Sequence, residues 1–230
     1  MDARESNGCV TKVNSSELGY AAMQTILSAS EVNEIKRAPA TDGVMPVFHE
    51  RWSPRSFSNR EVSSELLRKV FEAARWAASS GNEQPWRFLV GVRGSETWNL
   101  IFEALNEGNK KWAHRAPVLI LGLANTRNSR SGAENRYALY DLGASASYLT
   151  LQAAAMGLAA HQMAGFNHEV ARESLGIPDD YALGSSIALG YQDEPAVLAD
   201  ASLVERELAP RSRKALSEIV FSAWGTPAQL

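Results

Sequence analysis

The chain has 230 residues, 45% of them hydrophobic and 21% charged, with a net charge of -3 and 1 cysteine. That much apolar material fills one sizeable core, and a near-neutral balance excludes a global basic field for nucleic acid or an anionic membrane surface. The lone Cys9 excludes a disulfide framework and a cysteine metal cluster, which fits a reducing cytoplasm.

In chain order, residues 1–46 read as an N-terminal extension. Asp2, Arg4 and Glu5 stand where a signal peptide would be basic and then apolar, and no segment offers the roughly 20 apolar residues of a membrane span. Leu18, Ala22, Ile26, Ala29, Val32 and Ile35 recur at near-helical spacing, so one amphipathic helix is expected from Leu18 to Ile35. Pro39 and Pro46 bracket a linker, and a single domain follows over residues 47–230, with a C-terminal arm from about residue 200. Ser63 caps a helix whose apolar face is Leu66, Leu67, Val70, Phe71 and Ala74. Phe88 to Val92 reads as a strand, and a helix follows from Ser95 with Trp98, Ile101, Phe102 and Leu105 on one face. Val118 to Leu123 is continuously apolar, the pattern of a strand covered on both faces in the middle of a sheet. Tyr137 to Gly157 forms a long helix in which Ala144, Ser145, Ala146 and Ser147 allow a close helix neighbour. Strands are expected over Leu158–Met163 and Ser185–Leu189, with a short helix at Asn167–Leu175 stopped by Gly176 and Pro178. The result is an α+β sandwich, a mixed sheet flanked by helices.

Two segments carry the chemistry. Arg51-Trp52-Ser53-Pro54-Arg55 sets two guanidinium groups and a hydroxyl on a turn, the equipment for gripping a phosphate, although a solvated surface turn has the same composition. A second pair, Arg211 and Arg213, can converge with the first, since a phosphate needs more than one guanidinium to offset its desolvation. Ser79, Ser80, Asn82 and Gln84 precede Pro85-Trp86. They either bond the polar edge of a flat heterocycle or merely end a helix and turn the chain, with Trp86 as a core anchor. His49, His114, His161 and His168 lack the spacing of a metal site, and no nucleophile elbow, P-loop or dinucleotide glycine motif occurs. No catalytic acid, base or nucleophile is assigned.

These segments, with Gln162-Met163-Ala164-Gly165-Phe166, Ala188-Leu189-Gly190-Tyr191 and the run from Pro210 to Glu218, resemble the FMN-dependent nitroreductase family, in the family's order from about Val47 onward. The resemblance implies an intertwined homodimer with FMN at the subunit interface and a C-terminal arm reaching across. It implies that Arg51, Trp52, Ser53, Arg55, Arg211 and Arg213 hold the phosphate and ribityl chain. Ser79, Ser80, Asn82 and Gln84 would then contact the flavin from the neighbouring subunit. Asn109 would lie near the pyrimidine ring, and Met163, Ala164 and Gly165 would lie beside flavin N5, with glycine allowing a close backbone approach. Ala78 and Ala164 depart from the family's proline and glutamate. The expected activity is NAD(P)H-dependent reduction of nitroaromatics, quinones or similar small acceptors. A relative with another FMN reaction (dehalogenation, enal or aldehyde reduction, flavin breakdown) and a non-catalytic FMN-binding module stand as alternatives.

Overall fold

The computed structural model describes residues 27–230. Helix α1 (Ala29–Lys36) precedes a short α2 (Pro46–Glu50), and α3 (Ser64–Arg75) then leads into strand β1 (Trp86–Val92). Two helices, α4 (Glu96–Ala104) and α5 (Glu107–Ala113), connect β1 to β2 (Val118–Asn125). The long α6 (Ala138–Ala155) is followed by β3 (Ala159–Met163), α7 (His168–Ser174), β4 (Tyr181–Gly190) and α8 (Ala201–Leu208). A small hairpin, β5 (Phe221–Ala223) with β6 (Thr226–Pro227), lies in the C-terminal arm. Among the described residues no helix is long and apolar enough to cross a membrane.

The four main strands are ordered β1-β2-β4-β3. β2 lies inside the sheet, as its apolar run implies, and its residues divide by the two-residue period of a strand. Leu119, Leu121 and Leu123 join the core beneath α4, α5 and α8, with Trp98, Ile101, Trp112 and Leu203. Val118 and Ile120 join the opposite core, with Val70 of α3 and Leu149 of α6. The α+β sandwich is thus formed as expected, with one difference: every pairing of this sheet among the described residues is antiparallel, where a mixed sheet was expected. The connections from β1 to β2 and from β3 to β4 re-enter the sheet at the end they left, which makes those neighbours antiparallel, while α6 carries the chain from one end of β2 to the other end of β3, which is not its neighbour.

Side-chain caps set several helix starts. Ser63 and Ser95 accept hydrogen bonds from the backbone of Leu66 and Trp98, and Asn167 accepts from Glu169 and Val170. The same chemistry corrects the expected Leu18–Ile35 helix. Its first part falls outside the described residues, and the described helix begins only at Ala29. Ser28 is extended (φ -70°, ψ 160°) and closes a reciprocal capping box with Glu31, which starts a helix rather than continuing one. Between α3 and α6 the small-residue expectation holds in part. Ser145 and Ala146 are buried, and the Ser145 hydroxyl donates to the Ala74 carbonyl at 2.9 Å, while Ser147 is exposed.

Candidate functional site

The Arg51 turn leaves α2 and runs beside edge strand β3. His161 of β3 fixes it there, donating from Nδ1 to the Pro54 carbonyl at 2.9 Å and packing in a tilted arrangement against Trp112 with ring centroids 4.6 Å apart. Burial, with Arg55 and Arg51 nearby, pushes the His161 imidazole down to about 4, so it is neutral at physiological pH. The turn is also tied to α8. Glu207 is fully buried, and its carboxylate accepts from the backbone N–H groups of Arg55 (2.8 Å) and Ser56 (3.0 Å) and from the Ser56 hydroxyl (2.7 Å).

The expected convergence of arginines is partly realised. Arg211 donates to the carbonyls of His49 and Arg51, which brings the arm onto the turn. Burial depresses the Arg51 guanidinium, and the charges of Arg211 and Arg213 depress it further. Among the described residues none of these three forms an ion pair with a carboxylate, and Arg211 Nε is buried without a hydrogen-bond partner. Together with Phe48, His49, Ala38 and Pro39 they line a cavity of about 570 Å³, within the usual size of small-ligand sites. Arg51 also donates to the Ser53 hydroxyl at 3.1 Å. A concentration of unneutralised cations with an orphaned donor calls for an anion.

Arg55 is the member that stands apart. Its guanidinium lies 3.9 Å from Glu207 and is absent from the cavity lining. Trp52 is buried with its indole N–H donated to Asn33 at 2.7 Å, so it anchors the turn to α1 and has no polar group left to offer.

At the far end of β3, Met163 is buried and can present only its backbone, whereas Ala164 is exposed. Gly165 has a packing reason of its own. A Cβ there would collide with the amide of Asn106 and approach Asn109 Nδ2 to 3.0 Å, so glycine is required by α5 packing against the strand end. Asn109 Nδ2 donates to the Gly165 carbonyl at 2.9 Å, and the Asn106 backbone N–H does so at 3.0 Å. The carbonyl is thereby fixed, while the Gly165 N–H has no acceptor among the described residues. Asn109 is therefore a support for Gly165. From His161, beside the turn, to Gly165 is four strand positions, about 13 Å.

The segment Ser79–Gln84 lies elsewhere. Rows Val92–Val118–Leu189–Ala160 and Trp86–Ala124–Ala182 mark opposite ends of the sheet. The loop leads into Trp86 on edge strand β1, while the Arg51 turn sits by Ala160 on edge strand β3. Within one chain the two are about 20 Å apart along the strands and about 14 Å across them. Gly81, Asn82 and Gln84 all have positive φ (58°, 57° and 47°), which glycine adopts freely but which strains the backbone at Asn82 and Gln84. Asn82 and Gln84 are exposed and bond each other at 3.2 Å. Ser79 accepts from the Gln84 N–H at 3.0 Å, and the Ser80 N–H donates to buried Asp141 of α6 at 3.1 Å.

Glu207, Asn106 and Asp141 were not singled out for these supporting roles. Only Glu207 left a local trace: it follows Leu203 and Val204 at helical spacing, an acid on an otherwise apolar face.

Comparison with known proteins gives a consistent result. Residues 49–97 and 91–191 match the model of the nitroreductase family. A protein of Thermus thermophilus named NADH dehydrogenase is 30% identical over 178 residues, 63% of this chain and 84% of the relative. The crystal structure of an oxidoreductase containing FMN superposes with a TM-score of 0.77 at 34% identity, covering 84% of this chain and 97% of the other. An FMN-dependent nitroreductase from Clostridium difficile has a TM-score of 0.55 at 28% identity, covering 63% and 85%.

Proposed function

The chain belongs to the nitroreductase family, and from that premise we propose that it is an FMN-dependent oxidoreductase that passes reducing equivalents from NAD(P)H to small electron acceptors such as nitroaromatics and quinones. The residues present fit FMN. Its phosphate suits the acid-free cluster of Arg51, Arg211 and Arg213, where the orphaned Nε of Arg211 awaits an acceptor. An elongated cofactor lying along β3 would bring its ring to the Gly165 N–H, a backbone donor with no acceptor among the described residues. When bound, FMN supplies hydride acceptance and release. The chain supplies the anion site, a fixed strand end and an otherwise undemanding surface for the acceptor.

The observation that carries this reading is the cluster of three guanidinium groups with no acid pairing them, reached from the turn that lies beside β3, with Gly165 just beyond the far end of that strand. The positions of the Ser79–Gln84 loop and the arm support a homodimer. The loop is too far from the Arg51 corner to meet the same ligand within one chain, so a second copy would bring it there. From residue 212 onward the arm is almost entirely exposed, with Leu216 63%, Trp224 96% and Leu230 91% accessible, an apolar surface suited to lying across a partner.

An anaerobic visible spectrum tests the assignment. The purified protein with FMN is expected to show flavin absorbance that bleaches on addition of NADPH or NADH and returns with a nitroaromatic or quinone. A bound flavin that no nicotinamide bleaches would make the protein a binding module. Bleaching without turnover of either acceptor would favour another FMN reaction.

A further inference from the structure

Helix α1 belongs to the segment that precedes the family match, yet its contacts run to both halves of the Arg51 corner. Asn33 holds the Trp52 indole at 2.7 Å, and so fixes the turn. Lys36 is 5% exposed and lies over the Trp52 ring, 4.9 Å from its centroid. Its ammonium donates to the Arg206 carbonyl at 2.9 Å and to the Ala209 carbonyl, the free carbonyl end of α8. A cation is well placed there, because the terminal carbonyls have no partners of their own and carry the negative end of the helix dipole. Arg211 follows Ala209 by two residues. Ala38 and Pro39, just beyond α1, line the cavity itself.

We propose that Lys36 is a positioning residue for the cofactor: by clamping the end of α8 it fixes the tether of Arg211 and Arg213, so that the extension sets how tightly the phosphate is held. This rests on the reading of the corner as the FMN phosphate site. Burial lowers the Lys36 pKa, the carboxylate of Glu207 works against that, and the charges of Arg55 and Arg211 lower it further. Lys36 does not touch the phosphate in this arrangement, since its ammonium is already engaged with two carbonyls. Without the clamp, the Pro210–Arg213 tether samples more conformers, and the arginines must be ordered when the anion binds.

The test uses the full chain as wild type, Lys36→Met, Lys36→Arg and Ser28→Ala. Methionine keeps an apolar stem on Trp52 and removes the donors. Ser28→Ala loosens the start of α1 while leaving Lys36 in place, and serves if the methionine variant does not fold. FMN affinity is measured by quenching of flavin fluorescence, and arm mobility by the rate of tryptic cleavage after Arg211 and Arg213 in the cofactor-free protein. Lys36→Met is expected to bind FMN about tenfold more weakly, as for loss of a charged hydrogen-bond donor, with faster cleavage in the arm. Lys36→Arg should recover much of both, and Ser28→Ala should move both in the same direction by less. Unchanged affinity and unchanged cleavage in a folded Lys36→Met protein would overturn the inference. If wild type fails to bind FMN, the functional reading falls instead, and cleavage alone decides whether Lys36 sets the arm.

Discussion

The Arg51 corner and the Ser79–Gln84 loop contribute in opposite ways. The corner is drawn together from α1, the turn and the arm by buried long-range bonds: Glu207 to the turn, Lys36 to α8, Arg211 to His49 and Arg51. The loop is held by short-range bonds, together with Asp141 and the link from Glu83 to Asn128, and three of its residues sit at positive φ. A site finished inside one chain can be ordered before its ligand arrives, whereas a strained, exposed loop would gain further partners only in the proposed homodimer.

The sharpest way to break the contrast is at Glu207. Glu207→Ala should destabilise the protein by about 3 kcal/mol or more, because two backbone donors, a hydroxyl and the neighbouring cations lose a buried acceptor. Urea unfolding measures this, and a change below about 1 kcal/mol would show that the corner does not depend on its carboxylate.

The second probe is pH. His161 has a folded-state value of about 4 against an ordinary 6.5. The unfolded chain therefore binds a proton that the folded chain refuses as pH falls between those values. Stability from this group is complete above about pH 6.5 and declines toward pH 4, by roughly 3 kcal/mol in all. His161→Gln should flatten the decline over that window, as followed by denaturant midpoints at fixed pH.

Third, Arg51→Ala should weaken FMN binding roughly 100-fold, the scale of a lost charge-assisted hydrogen bond. Arg55→Ala should weaken it less, because Arg55 already faces Glu207. Equal losses in titration would mean that Arg55 also turns toward the anion.

The smallest effect belongs to the loop. Gln84→Gly should raise thermal stability by about 1 kcal/mol through relief of its left-handed backbone. The same change should slow acceptor reduction if that loop meets the cofactor in the assembled enzyme. Faster or unchanged turnover would remove it from the site.

Much of the scaffold was written locally. The apolar run of Val118–Leu123 located the interior strand, and Ser63, Ser95 and Asn167 announced helix starts through their own side chains. The signal for α1 was also present, as Ser28 followed by Glu31 three residues later, a start that falls inside the apolar spacing taken for one helix. For the site, the arginine-rich turn and the terminal pair were legible because charge is visible in the residues themselves. The division of labour was not. Whether Arg55 faces an anion or Glu207, and whether Gly165 serves a ligand or Asn106, depends on residues dozens to 150 positions away, and no local pattern records such partners. Lys36 illustrates the limit: a lysine at the end of a helix reads as a solvated charge until the fold brings α8 to it.

The separation between Lys36 and its two acceptors, 170 and 173 residues, has a consequence for biogenesis. At synthesis rates of 5–20 residues per second, α1 would wait about 10 to 30 s on the ribosome before the carbonyls it holds are made. The sheet, complete by Gly190, can form in the meantime. Maturation of the flavoprotein is thereby deferred to the end of translation, and a polypeptide stalled or truncated before α8 would lack the core side chains of that helix, the Glu207 anchor and the terminal arginines, and so would carry no pigment.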